Sequence, residues 1–208
     1  MVAWETVRSA VIVLFAGISV QERAQTWSNG TVFLMPKDSL SAVTFPLNLD
    51  PLVGTALEAA RLCLDSAAQA ALRATCLRSR CGSVVVEGSR LLGAGWNSLP
   101  GDEVPQVCWK EEGCLSAAFK SDRTCCVHAE VRALTNALRA GNDVSGATLY
   151  FTRVDDKGQR VASGAPYCTI CSKFALESGV SYFVLEHDFG VVAYPSEVYN
   201  QLSFSYQG

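Results

Sequence analysis

The chain has 208 residues, 49% of them hydrophobic and 18% charged, with a formal net charge of −3. This composition excludes a disordered or fibrous chain and supplies enough apolar surface for one domain with a substantial core. The acidic balance gives no global attraction to a polyanion, so it counts against a nucleic-acid binder that lacks a local basic groove.

Near the N-terminus, residues 9–19 read SAVIVLFAGIS. The run is too short to span a bilayer, and no membrane association is expected. Its flank carries no net positive charge and no small-residue cleavage site follows, so a buried strand or helix is expected rather than a signal peptide. Residues 1–52 mix strand-like runs with prolines and read as an N-terminal extension of unclear role, ahead of a domain over residues 53–208.

From Leu52 to Arg80 the text is rich in alanine and leucine, with apolar residues at helical spacing, and predicts one long helix or two. Arg73, Arg78 and Arg80 are expected at its C-terminal end, where cations suit the helix dipole. Val84–Glu87 and Leu91–Trp96 predict a hairpin turned at EGSR. Residues 98–124 form a long polar loop holding Cys108 and Cys114; a loop of that length usually carries function.

Residues 128–140 have helical periodicity closed by Gly141. Residues 147–153 predict a strand, DDKGQ a turn, CTICSKFALESG a short helix closed by Gly179, and VSYFVLEHD a further strand. Helices alternating with strands in this half imply parallel pairing through crossovers. The expected fold is α/β, a three-layer α/β/α domain around a mixed sheet.

Nine cysteines stand beside only two histidines. The odd cysteine count and the chain length disfavour a secreted disulfide framework. Cys63 and Cys76 read equally well as small buried hydrophobes. The remaining spacings favour a reduced, cytoplasmic setting with some cysteines on metal. Cys168-x-x-Cys171 opens one predicted helix and His128-Ala129-Glu130 opens another; taken alone, the cysteine pair fits a zinc site, a thiol redox pair or coincidence. Residues three apart share a helical face, and a helix N-terminus favours thiolate over thiol. Two thiolates and His128 supply the three protein ligands of a catalytic zinc site with a fourth position for water. A carboxylate two residues beyond a ligand histidine reaches that water without binding the metal, which makes Glu130 the candidate proton carrier.

HAE at residues 128–130, with Pro166 and CxxC at 168–171, resembles the cytidine and deoxycytidylate deaminase superfamily, the deoxycytidylate deaminases most of all. The likeness covers roughly residues 75–190. It implies a cytidine-deaminase-like fold and a zinc-dependent hydrolase of a free cytosine nucleotide or nucleoside, in which zinc-bound hydroxide attacks carbon 4 and ammonia leaves. It further implies His128, Cys168 and Cys171 as zinc ligands, Glu130 as proton shuttle, Asn97 as a sugar contact, the Ala129 backbone as a contact to the base amide edge, and a homo-oligomer. For Cys108, Cys114, Cys125 and Cys126, a second, structural zinc is one reading and unliganded thiols beside the active site the other.

The sequence departs from the family pattern at three places. Tyr167 splits the usual Pro-Cys pair, residues 152–166 form an insertion before the ligand helix, and Ser98 replaces the glycine that ends the family's GYNG. Cations near the motif in sequence that could meet a phosphate are Arg90, Lys110, Arg123 and Arg132. The alternative function is a nucleic-acid-editing deaminase acting on cytosine or adenine in tRNA or single-stranded DNA, which needs a groove for flanking phosphates. No basic run or aromatic–basic interleaving points to one. A scaffold using zinc for stability alone has no use for Glu130.

Overall fold

Helix α1, Gly54–Ala71, packs eight buried residues, five of them alanines between Ala59 and Ala70, against one face of a mixed sheet. The structure is a computed structural model that describes residues 25–26, 32–33, 49–108 and 125–206. Its contacts divide the chain into two units, residues 1–34 and 35–208. In the first, β1 (Gln25–Thr26) and β2 (Val32–Phe33) pair antiparallel. The expectation for residues 9–19 lies outside the described residues.

In the second unit, β3 (Arg80–Glu87) and β4 (Arg90–Trp96) form the expected hairpin, turned at Gly88 with φ +56°. Helix α2 (Ala129–Arg139) leads to β5 (Thr148–Val154), then to the short β6 (Arg160–Val161). Helix α3 (Thr169–Glu177), β7 (Tyr182–His187), β8 (Gly190–Pro195) and α4 (Ser196–Ser205) complete it. The sheet order is β4-β3-β5-β7-β8, with β6 pairing the end of β5. Of these pairs only β5–β7 is parallel, joined by the α3 crossover. Helices α2, α3 and α4 bring their apolar residues into one core cluster with Val85, Leu149, Phe151, Phe183 and Leu185. The α/β class and the mixed sheet are as expected.

Two expectations for this region are overturned. The helix predicted to run to Arg80 stops at Ala71, and Arg80 is the first residue of β3. Sheet pairing decides it, since Arg80 and Gly82 lie opposite Val154 and Thr152 of β5 and Gly82 also opposite Trp96 of β4. Propensity yields to those two ladders. The intervening turn is tied down from outside, with Thr75 Oγ1 donating to Glu103 O at 3.1 Å. The arginines of this stretch therefore do not cap a helix. The segment after residue 188 holds β8 and α4, which the sequence did not announce.

Close helix–sheet approach depends on glycines. Side chains at Gly93 or Gly95 of β4 would overlap α2: a methyl at Gly93 runs into Ala133 and Ala137, and one at Gly95 into Ala129 and Ala133. We expect Gly95→Ala to force α2 outward at a cost of about 3 kcal/mol, near the upper end for overpacking. Thermal melting checks this, the expected fall being roughly 6–12 °C for a chain of this size.

Candidate active site

Helices α2 and α3 present their N-termini to the same point. His128 is the N-cap residue of α2 and Cys168 the N-cap residue of α3. His128 Nδ1 lies 3.1 Å from Cys168 Sγ and 3.1 Å from Cys171 Sγ, and the two sulfurs are 2.6 Å apart. Cys171 N donates to Cys168 Sγ at 3.2 Å, the cap bond that opens α3. Among the described residues these three are the group of His, Cys, Asp or Glu whose ligand atoms all lie within 4.8 Å of one another.

Electrostatics prepare the trio for a metal. The Cys171 hydrogen bond and the neighbouring His128 outweigh burial and bring the Cys168 thiol down to about 5. Burial and the Cys168 thiolate hold Cys171 well above its ordinary value. Burial opposes charge on His128, but its bond to Cys168 and the Glu130 carboxylate win and raise it to about 9. One soft, easily ionised sulfur, a second beside it and an imidazole are the donor set that zinc takes, and metal binding displaces the protons they share.

Glu130, in the first turn of α2, is 5% exposed. Burial, seconded by the Cys168 thiolate, raises its carboxyl to about 7, although His128 pulls the other way. Its side chain hydrogen-bonds Cys171. The carboxylate is thus held against the sulfur cluster in a dry place.

His128 and Glu130 line a cavity of about 310 Å³, with Cys168 and Cys171 buried beside His128. Asn97 and Ala129 both line the cavity. Asn97 is also a clip: its Oδ1 accepts from Cys81 N at 2.8 Å and its Nδ2 donates to Ser79 O at 2.9 Å. We expect Asn97→Ala to cost about 2–3 kcal/mol through these bonds, measured by denaturant unfolding, and to loosen the wall formed by residues 78–81. A neighbouring network fixes the loop beyond: Asp102 Oδ1 accepts from Ser98 Oγ at 2.6 Å and from Trp96 Nε1 at 2.7 Å, and Arg132 Nη2 donates to Ser98 Oγ at 2.7 Å. Val127 N donates to Ser98 O at 2.8 Å and carries the chain into His128.

Of the four loop cysteines, Cys108, Cys125 and Cys126 line the cavity and Cys114 lies outside the described residues. The structure adds Cys76, whose thiol pairs with Cys126 and is brought down to about 5 by that bond. Sequence reading left Cys76 undecided between core and site because it was placed inside a helix; Cys63, its companion in that reading, is fully buried in α1. The cations differ as well. Arg90 pairs with Glu87 on the hairpin turn and Arg132 is engaged by Ser98 and Leu99, while Lys110 and Arg123 lie outside the described residues. Among the described residues the arginines that line the cavity are Arg78 and Arg153. Tyr167, the residue that splits Pro166 from Cys168, forms part of the wall and tilts against Tyr206 at 5.7 Å between ring centroids.

Residues 57–187 match the family described as the cytidine and deoxycytidylate deaminase zinc-binding region. The chain belongs to this family. Its fold class, its membership of a group of zinc-dependent hydrolytic deaminases and the His128/Cys168/Cys171 cluster agree with one another. The chain is 35% identical to the deoxycytidylate deaminase of Mycobacterium phage D29 over 127 residues, 58% of this chain and 88% of that one. It is 28% identical to ComE operon protein 2 of Bacillus subtilis (strain 168) over 131 residues, 63% of this chain and 60% of the length of the Bacillus protein. Among solved structures it is similar to the dCMP deaminase of cyanophage S-TIM5 in complex with dCMP and dUMP, at 22% identity and a TM-score of 0.44, covering 61% of this chain and 79% of that one.

Proposed function

We propose that this family member deaminates a free cytosine nucleotide or nucleoside, with a deoxycytidylate-like substrate first, giving the uracil product and ammonia. The observation that carries the reading is a buried carboxylate, Glu130, placed against a three-donor cluster suited to zinc, with Glu130 and His128 lining a cavity. The name of the phage relative supports the substrate class.

His128, Cys168 and Cys171 would hold the zinc. When bound, zinc lowers the pKa of a water and acts as a Lewis acid. The protein's own part is proton handling and exclusion of solvent. Glu130, with its carboxyl raised to about 7, accepts a proton from the attacking water near neutral pH and donates one to the departing amine. Its burial keeps that proton from bulk solvent. The Ala129 backbone and the Asn97 amide, both on the cavity wall, are the contacts assigned to the base edge and the sugar.

Residues 53–208 are assigned as the deaminase domain, residues 1–52 as an extension, and the working form as a homo-oligomer in the cytoplasm. Among the described residues no helix is long and apolar enough to cross a membrane. The loop cysteines are assigned as unliganded thiols beside the active site, with Cys76 paired to Cys126, because among the described residues the convergent group of three metal donors is His128, Cys168 and Cys171. Zinc analysis tests this, with one ion per chain expected both in wild type and in Cys76→Ser.

The functional test is ammonia release across cytosine, adenine and guanine nucleosides, their monophosphates and single-stranded oligonucleotides. Turnover of a free cytosine compound is expected. Turnover confined to oligonucleotides or tRNA would replace this reading with the editing one.

A further inference from the structure

We propose that Tyr167 reads carbon 5 of the pyrimidine ring, favouring a hydroxymethyl group there over a methyl group, and that Tyr206 holds the Tyr167 ring in place. The proposal rests on the cytosine-deaminase reading of the cavity. It concerns a residue at which this chain departs from the family pattern, between Pro166 and Cys168.

Chain connectivity places Tyr167. It directly precedes Cys168, the N-cap residue of α3 and one of the three metal donors, so its backbone is held beside the cluster. Its side chain lines the cavity together with Ala129 and Glu130, which come from α2. The ionisable groups that act on its phenol are Glu130, Cys81, Cys168 and Cys171, so the polar end of the ring lies near the reacting centre. The ring packs against the main core cluster and tilts at 45° against Tyr206, the residue that ends α4. Among the described residues the Tyr167 hydroxyl has no hydrogen-bond partner, and it is not sealed inside the protein. A phenol is protonated at neutral pH, so this hydroxyl is an unused donor on the cavity wall.

The chemistry of the ring assigns the neighbour. Carbon 4 of a pyrimidine lies between N3 and carbon 5. The proton carrier serves the N3 side and the leaving amine, and Glu130 enters from α2. Carbon 5 then faces the α3 side. Among the described residues Tyr167 is the cavity-lining residue next to a metal donor on that side. A hydrogen on carbon 5 leaves room for a water on the phenol. A methyl group strips that water and returns no acceptor, which leaves a polar group unpaired. A hydroxymethyl group supplies the missing acceptor oxygen. Phe151, also aromatic and on the cavity wall, has no polar atom to offer. Tyr206 backs the Tyr167 ring, and an aromatic pair of this kind favours one ring orientation over others.

The experiment measures kcat/KM in the zinc-loaded full chain for deoxycytidine monophosphate and its 5-methyl and 5-hydroxymethyl derivatives. Wild type is expected to favour the hydroxymethyl over the methyl compound by about 10-fold, the worth of one hydrogen bond against an unpaired donor. Tyr167→Phe is expected to remove that preference. Tyr206→Ala should lower it, and Tyr206→Phe, which keeps the ring, should retain it. Phe189→Ala, on the exposed turn between β7 and β8, should leave it as in wild type. A wild type that favours the methyl compound overturns the proposal, and so does a preference unmoved in Tyr167→Phe. Equal loss on all three compounds in that variant marks a structural role and overturns it as well. Calorimetric binding of the 5-hydroxymethyl and 5-methyl derivatives of deoxyuridine monophosphate reads the contact without turnover. If no cytosine compound is deaminated yet the hydroxymethyl ligand binds more tightly in a Tyr167-dependent way, the catalytic reading fails and the Tyr167 contact stands. Equal binding of the two ligands removes the contact.

Discussion

Glu130→Gln is expected to lose about 10²- to 10⁴-fold in kcat for ammonia release while keeping the zinc content of wild type. Glutamine matches the shape of the carboxylate but cannot carry a proton, so the variant separates proton transfer from metal binding and from folding. Glu130 is buried and its carboxyl sits at about 7, poised to give and take a proton near neutrality. Its one identified side-chain partner is Cys171, and an amide keeps a hydrogen bond there. Melting temperature and zinc stoichiometry should therefore stay close to wild type, removing misfolding as a cause. Retained turnover in this variant would sink the proton-carrier assignment.

Cys171→Ala carries the second largest effect. Cys171 is fully buried at the first turn of α3, between Cys168 Sγ at 2.6 Å and His128 Nδ1 at 3.1 Å. Its removal takes away one of three zinc donors and the hydrogen bond that keeps Cys168 ionised. We expect zinc content to fall by one ion per chain. Stability should fall by about 3–5 kcal/mol, from the small cavity left behind and the lost linkage to bound metal. In a melting experiment that is roughly 6–20 °C. Chelation of the wild type should reproduce most of the fall, and adding zinc back should restore it in the wild type alone. A variant with undiminished zinc would remove Cys171 from the ligand set.

The core of the site was legible because its chemistry is local. His128 and Glu130 lie two residues apart, and Cys168 and Cys171 three apart, each pair at the start of a helix whose apolar spacing is plain. What the sequence hid is what tertiary pairing decides. Arg78 and Cys76 looked helical because their neighbours are good helix formers, and only the two-sided pairing of β3 pulls that stretch out of α1. Arg153 looked like the end of a strand running into a turn. It lies instead within the sheet, opposite Cys81 of β3 and Val161 of β6, a two-residue strand with no periodicity to read. Helix α4 escaped notice because it begins directly after Pro195, without an intervening loop. Asn97 was expected to face a ligand; the amide lines the cavity and also binds two backbone groups.

The bare glycine backbone under α2 has a bearing on how this enzyme can be altered. Where a helix rests on side chains, a cavity or a bulkier neighbour lets it drift by fractions of an ångström. Here Ala129 and Ala133 lie directly on main-chain atoms of Gly93 and Gly95, with no soft layer between. Libraries that vary apolar residues elsewhere in the domain should leave the spacing between Glu130 and the sulfurs almost untouched. Changing substrate preference by repacking is then a matter for the cavity's outer walls, and the chemistry beneath them travels along unaltered.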